Sequence, residues 1–317
     1  MDKAVVFAHF DRDGLVDDYV IYYLRELRRV CRRLVFVSDC ALRDGEAGKL
    51  DGLADHVIAE RHGEYDFGSY KRGFAFAAAE GWLEGADELI FANDSCYGPF
   101  FPFAEIFDHM SVSKADAWSI RINSIGLGGK PDPHMQSYFL VLRPRLFLSP
   151  EFASWIGAVT RLEEKEEIIR RYEIGFSRWL LDNGFAYDGY VRDDASEPAP
   201  YQIYWTYLIG GTLPPIVKKA QVYYSWSFII GNVDKYTDYP SSLIVGHRRR
   251  TCTGASLSAA LKRFRKWFLR IYIGRNRAHF LGRWYYFCPD AETMRLCALN
   301  KKQNKAFAQR KEHSGAL

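Results

Sequence analysis

The sequence predicts an α/β fold, an open and mainly parallel sheet covered by helices on both faces. Three observations carry that expectation. Short apolar, β-rich runs recur through the first half at Ala4 to Phe10, Leu34 to Val37, His56 to Ala59 and Glu88 to Ala92, each too short for a helix. Segments with apolar residues spaced three and four apart lie between them. Each run also ends in polar residues, which is how a buried parallel strand meets its loop.

The first run, AVVFAHF, leads into Asp11, Arg12, Asp13 and Gly14. Val16, Tyr19, Val20, Tyr23, Leu24, Leu27, Val30, Cys31 and Leu34 then form one stripe of a helix. Leu34 to Val37 follows as a second strand ending at Ser38 and Asp39, and a right-handed crossover makes the two strands parallel neighbours. A weaker strand at His56 to Ala59, a helix from about Gly68 to Leu83 and a strand at Glu88 to Ala92 continue the alternation. Strands at Ala117 to Ile122 and Tyr138 to Leu142 flank Asn123 to Gln136, whose Gly126, Gly128, Gly129, Pro131 and Pro133 suggest a mobile lid. A helix around Tyr172 to Asn183 stops at Gly184, and Tyr187 to Val191 reads as another strand. The stretch 192–245 is rich in Tyr, Trp, Pro and Gly and gives no periodic signal.

From Ser256 to Ile273 an apolar stripe of Leu257, Leu261, Phe264, Trp267, Phe268 and Ile271 alternates with Lys262, Arg263, Arg265, Lys266 and Arg270. This is a basic amphipathic helix. His247 to Arg250 precede it, and Arg275, Arg277, Trp284, Tyr285 and Tyr286 come after it. The chain therefore divides into a domain over 1–245 and a basic C-terminal region over 246–317. Clustered cations and interfacial aromatics fit an anionic membrane surface, because each Lys or Arg near such a surface contributes about 1 kcal/mol. A helix packed on the domain with a solvated basic face is the alternative. Nucleic acid is not expected, since the basic residues are confined to one tail without a binding motif.

Composition sets further bounds. With 317 residues, 48% hydrophobic and 26% charged, the chain has apolar material for a large core, and its net charge of +4 is mild. The six cysteines show no paired or zinc-ligand spacing and the N-terminus has no leader pattern, which suits reduced thiols in the cytoplasm. No window reaches the ~18 apolar residues of a membrane span.

In such sheets ligands bind at the carboxyl ends of strands. Those ends here carry His9, Asp11, Asp13, Ser38, Asp39, Asn93, Asp94 and Ser95. Asp94 is either a strand-end carboxylate for a hard divalent cation or part of an Asx-turn. Asp66 can cap the helix it precedes, and Lys71 can reach a phosphate. His134 and Gln136 stand at the exit of the glycine-rich loop, where a histidine is either a catalyst or a structural hydrogen-bonder. Glu173, in a helix's first turn, is either a base or a partner of the helix dipole. A strand followed by Asp11-x-Asp13-Gly14 also resembles the nucleophile loop of haloacid dehalogenase phosphatases, with Ser38 fitting their next motif. The paired-aspartate segment that would complete their magnesium site is missing.

The blocks FAHFDRDGLVDDYVIYYLREL, YDFGSYKRGF, NDSCYGPFFPFAEIF, HMQSYFLVLRP and YEIGFSRWLLDNGFAYDGYV run in order from about residue 5 to 191. Together they resemble the rhamnan synthesis protein F family. Five blocks in register are more specific than any single motif, and the tail from about 245 lies outside the resemblance. Members are regarded as rhamnosyltransferases that build cell-surface polysaccharides. The resemblance thus implies a glycosyltransferase with dTDP-L-rhamnose as donor and a growing, lipid-linked glycan as acceptor.

The strand order is also similar to the GT-A nucleotide-sugar transferase fold. By that likeness Glu173 would be the base of an inverting reaction, and Asp94 would hold magnesium or manganese beside Asn93 and Ser95. Lys71 or His134 would add donors, while Asp39 and the His9 to Asp13 loop would hold the nucleoside, with Asp66 and Gln136 completing the set. Two departures stand out: Asn93-Asp94-Ser95 has one carboxylate where Asp-x-Asp is usual, and Ile174 follows Glu173 where an aspartate is usual. A non-catalytic glycan-binding assembly subunit is a further reading, since aromatics at 16% of residues suit sugar stacking.

Overall fold

A computed structural model describes residues 2–127, 131–192, 215–219, 233, 237–252, 278–280 and 283–285. Strand β1 (Lys3–His9) is buried along its whole length. Helix α1 (Asp18–Arg28) buries Tyr19, Val20, Tyr23, Leu24 and Leu27, the stripe the spacing predicts. Strands β2 (Arg33–Ser38) and β3 (His56–Ala59) come next, and then helix α2 (Tyr65–Ala79). After them stand β4 (Glu88–Asn93), the short β5 (Cys96–Tyr97) and α3 (Phe103–Met110). The second half contains β6 (Ala117–Ile125), β7 (Pro131–Met135), β8 (Phe139–Leu142), α4 (Pro144–Phe147) and α5 (Pro150–Gly157). Helix α6 (Lys165–Ile168) passes through a π-helical turn at Ile169–Ile174 into α7 (Gly175–Asp182). Strands β9 (Tyr187–Arg192) and β10 (Val217–Lys218), helix α8 (Ser241–Cys252), the strands β11 (Ala278–Phe280) and β12 (Arg283–Tyr285), and a short 3-10 turn at Ala47–Leu50 between β2 and β3 complete the described elements.

Eight strands form one sheet in the order β3-β2-β1-β4-β8-β6-β7, with β9 also paired to β6. Strands β3, β2, β1 and β4 run parallel. The other half is mixed, since β8 lies antiparallel to β4 and to β6 whereas β9 is parallel to β6. Alternate residues of β1 serve two layers, as a strand's period of two requires. Ala4, Val6 and Ala8 join a core with Phe67, Tyr70 and Phe74 of α2 and Phe152 and Phe176 of α5 and α7. Phe7 faces the other way and packs edge-on to Tyr23 of α1 at 5.3 Å. Burial of each such large side chain stabilises the fold by about 1.5–3 kcal/mol.

Two expectations are corrected. The segment Asn123 to Gln136, read as a lid, includes β7 paired antiparallel to β6, Met135 opposite Ile122 and His134 opposite Asn123. Its prolines mislead because Pro131 and Pro133 occupy exposed positions of a short strand, where a missing N–H costs least. The helix expected to begin near Tyr172 begins at Lys165, so Glu173 lies within it, in the π turn, and not at its start.

The chain forms two compact units, 1–195 with 215–244 and 196–214 with 245–317. In the second, β11 and β12 form a hairpin with His279 opposite Trp284. The basic amphipathic helix expected over 256–273 lies outside the described residues. No described helix is long and apolar enough to cross a membrane.

Gly73 lets α2 lie against the sheet, because a Cβ there would stand 2.2 Å from Val6 Cγ1. Gly73→Ala should lower stability by about 1–3 kcal/mol. Gly157→Ala, where a Cβ meets nothing within 4 Å, should be neutral or stabilising. Thermal unfolding of the two variants checks this, and equal midpoints would refute the packing argument.

Candidate functional site

The parallel half of the sheet reverses its direction of growth between β1 and β4, the place where open α/β sheets bind ligands. At the end of β1, His9 is buried and its Nδ1 lies 2.9 Å from Ser38 Oγ, the residue in register on β2. Burial pushes the His9 imidazole below its ordinary value, against the opposing pull of Asp94, so it is a neutral hydrogen-bonder near pH 7. Asp39 sits one residue past β2. Its Oδ1 accepts the backbone N–H groups of His62 at 2.8 Å and Gly63 at 2.7 Å, and its Oδ2 pairs with Arg61 at 2.9 Å. Asp39 thereby fixes the loop between β3 and α2. Asp11 turns back on its own loop, accepting from Asp13 N–H at 2.8 Å and Leu15 N–H at 3.2 Å, while Asp13 pairs with Arg12 at 3.6 Å.

At the end of β4 the chain makes an Asx-turn, but Asn93 forms it and not Asp94, and it leads into β5 and not into a helix. Asn93 Oδ1 accepts from Ser95 N–H at 3.0 Å and from Ser95 Oγ at 2.5 Å. The Asn93 amide donates to Asp66 Oδ2 at 2.7 Å. Asp66 lies in the first turn of α2 but does not cap it; its carboxyl faces this turn. Burial, then Asp94 and Glu173, push it up to about 7, with Lys219 and Lys218 pulling the other way. Lys71 does not join the cluster, because its ammonium donates to the Val159 carbonyl at 2.6 Å and pairs with Glu64 at 2.7 Å.

Asp94 is buried. Its Oδ2 lies 3.3 Å from both the Tyr19 hydroxyl of α1 and the Lys219 ammonium, and the ammonium is 2.8 Å from that hydroxyl. The Tyr19 hydroxyl also donates to the Asp94 carbonyl at 3.0 Å. Burial and the Asp94 charge hold the Tyr19 phenol well above its ordinary value, so it remains protonated. Lys219 reaches this place because β10 pairs antiparallel with β5, Lys218 opposite Cys96, and because Lys219 N–H donates to the Ser95 carbonyl at 2.8 Å. Gly98 permits the approach of that strand: a Cβ at its φ of +132° would stand 2.6 Å from the Pro215 carbonyl.

Glu173 forms the second half of the cluster. Its Oε1 accepts from Gln136 Nε2 at 2.5 Å and its Oε2 from Ser137 Oγ at 2.9 Å, with His134 Nε2 at 3.7 Å. The Gln136 Oε1 accepts from the Lys218 ammonium at 2.6 Å, so one amide links cation to carboxylate. His134 Nδ1 donates to the Asp132 carbonyl at 2.7 Å. Burial pushes the Glu173 carboxyl up, but Lys218, His134 and Ser137 outweigh it and hold it below the ordinary glutamate value. The π turn places this carboxylate by closing a hydrogen bond from Gly175 N–H to the Arg170 carbonyl five residues back. Such turns commonly mark functional helices.

The donor set does not fit a resident divalent cation. Asp94 contributes one carboxylate and its Oδ2 is engaged by an ammonium and a hydroxyl. Among the described residues no group of three His, Cys, Asp or Glu could hold a metal. The sequence reading missed Lys218, Lys219, Tyr19 and Ser137. A signal for the lysines existed, since they are the only basic residues between Arg192 and Lys235.

A family model described as "Rhamnan synthesis protein F" matches residues 34–265. That match starts later than the five sequence blocks and extends past them. Solved structures with detectable likeness include a 4-diphosphocytidyl-2C-methyl-D-erythritol synthase, with a TM-score of 0.38 and 9% identity over 64% of this chain and 97% of that one. Core-mannan synthase A from Aspergillus fumigatus, in its Mn/GDP form, has a TM-score of 0.33 and 9% identity over 57% and 69% of the two chains. Glucosyl-3-phosphoglycerate synthase from Mycobacterium tuberculosis, in complex with Mn2+, UDP and glucosyl-3-phosphoglycerate, has a TM-score of 0.33 and 10% identity over 60% and 69%. No curated protein matches in sequence.

The Asp66 environment has a pH signature. A carboxyl held up to about 7 in the fold and near 4 when unfolded binds more protons folded than unfolded between those values. Stability is therefore greatest below that window and falls as pH rises through it. Asp66→Asn should remove the fall, gaining on the order of 1–2 kcal/mol at pH 8 and little at pH 4. Chemical denaturation at both pH values checks this, and a gain independent of pH would overturn the assignment.

Proposed function

Because this chain belongs to the rhamnan synthesis protein F family, we propose that it is an inverting glycosyltransferase with Glu173 as its general base. Its donor is dTDP-L-rhamnose and its acceptor is a growing cell-surface glycan on a lipid carrier. Membership supports a nucleotide-sugar transferase; rhamnose follows from the polymer that names the family. The observation that carries the assignment of the base is the state of Glu173, an ionised carboxylate held by Gln136 and Ser137.

In the reaction the acceptor oxygen attacks the anomeric carbon from the face opposite the diphosphate. The new carbon–oxygen bond forms as the bond to the β-phosphate breaks, and the bonding pair stays on the phosphate oxygen. The acceptor's proton passes to Glu173. A carboxylate held low is a weak base toward a free alcohol, but the hydroxyl becomes acidic as its oxygen bonds to carbon, and the transfer then runs downhill. Lys218 is a positioning residue, because its contact with Gln136 fixes the amide that orients Glu173. The loop held by Asp39, the His9–Ser38 pair and the Asp11 to Asp13 turn form the nucleoside side of the site. Arg248 to Arg250 near the end of α8, with the basic residues beyond them in sequence, support presentation of the acceptor at an anionic lipid surface.

Glu173→Gln should lower kcat by about 10²–10⁴ and leave dTDP affinity within about twofold, since glutamine keeps the shape and loses the base. A turnover assay with calorimetry of dTDP binding reads both. Undiminished turnover would remove Glu173 from the chemistry. The acid limb of kcat in the wild type should lie below the usual ~4.3 of glutamate, because the group must be ionised to act.

A further inference from the structure

We propose that Lys219 is the cation that receives the diphosphate of the donor as the sugar departs, in the place where the sequence leads one to expect a divalent ion. Naming the diphosphate rests on the transferase reading; the cationic site itself does not.

A leaving diphosphate needs positive charge at the oxygen that inherits the bonding pair. The carboxyl edge offers one carboxylate there, Asp94, and that carboxylate faces a lysine. Lys219 cannot easily drift, because β10 pairs with β5 and the Lys219 N–H is bonded to the Ser95 carbonyl at 2.8 Å, which holds its backbone against the Asn93–Ser95 turn. The side chain is placed as firmly: the ammonium lies over the Tyr19 ring at 5.2 Å and meets the Tyr19 hydroxyl at 2.8 Å.

The contact with Asp94 is looser. At 3.3 Å it exceeds the ~2.7–2.9 Å of a tight charge-assisted hydrogen bond. The Lys219 side chain is 27% exposed and that of Asp94 10%, so the lysine is the more open partner of the pair. Tyr19 therefore anchors the cation, while Asp94 is the partner a stronger oxygen ligand can replace. A phosphate oxygen exchanges for Asp94 Oδ2 at the ammonium, and the Tyr19 hydroxyl keeps its bond to the Asp94 carbonyl. In the transfer step Lys219 moves no proton. It donates a hydrogen bond to the β-phosphate oxygen that takes the electron pair, while the acceptor's proton goes to Glu173.

The test is calorimetry on the full chain with inorganic pyrophosphate and with dTDP, each in EDTA and in Mn2+, alongside a separate assay of sugar transfer and donor hydrolysis. Wild type should bind both probes in EDTA. Lys219→Met should weaken both at least about tenfold, the loss of one charged hydrogen bond. Lys219→Arg should restore most of the affinity, and Met at the exposed Lys114 should change nothing. If Lys219→Met does not fold, Lys219→Gln keeps a donor without the charge and reads the same loss.

Binding that needs Mn2+ and ignores position 219 would overturn the clamp and install a metal. Failure of the wild type to bind pyrophosphate would also overturn it. Lys219-dependent pyrophosphate binding without any sugar transfer or donor hydrolysis would leave the clamp standing and remove the transferase reading.

Discussion

The parallel pairing of β1 between β2 and β4 constrains the rest of the domain. Every residue of β1 is buried and its backbone is committed to neighbours on both sides. Polar chemistry has no room along the strand and must gather where the strand ends. The same pairing sends α1 and α2 to opposite faces, so the Tyr19 hydroxyl and the Asp66 carboxyl approach the β4 turn from two sides. The site is a consequence of where the sheet changes direction.

Electrostatics then separates groups of one chemical kind. Asp66 and Glu173 are both carboxyls at one edge, yet burial and neighbouring acids push Asp66 up to about 7, whereas Lys218, His134 and Ser137 hold Glu173 low. Near neutral pH one is part-protonated and the other fully charged. Two carboxyls driven apart in this way can take different roles in one reaction. Asp94 has a third environment, in which one carboxylate oxygen meets an ammonium and a phenol hydroxyl supplied by the chain itself.

The strands of the parallel half were legible because their apolar runs are short and each ends in polar residues. His56–Ala59 matches its expected bounds, and Glu88–Asn93 differs by one residue. The hairpin over β6 and β7 was hidden because glycines and prolines read as loop signals, though prolines are tolerated at exposed strand positions. Glu173 was picked out, but its setting was misjudged: a π turn adds a residue to the helical repeat and leaves no mark in a 3.6-residue pattern except Gly175. Lys218 and Lys219 escaped because β10 is two residues long and its pairing with β5 is a long-range fact. Asp66 looked like a cap from its position alone, and only the Asn93 amide across the sheet edge reveals otherwise.

The return of the chain through β10 joins residues far apart in sequence: Lys219 meets Tyr19 across 200 positions and Asp94 across 125. Lys218 and Lys219 sit on or beside a strand only two residues long. Any opening of β10 from β5 takes both ammonium groups away from the edge at once, while Asp94, Asp66 and Glu173 stay on or beside elements of the main sheet and its helices. The charge balance of the edge therefore rests on one short pairing, and the two cations are gained or lost together.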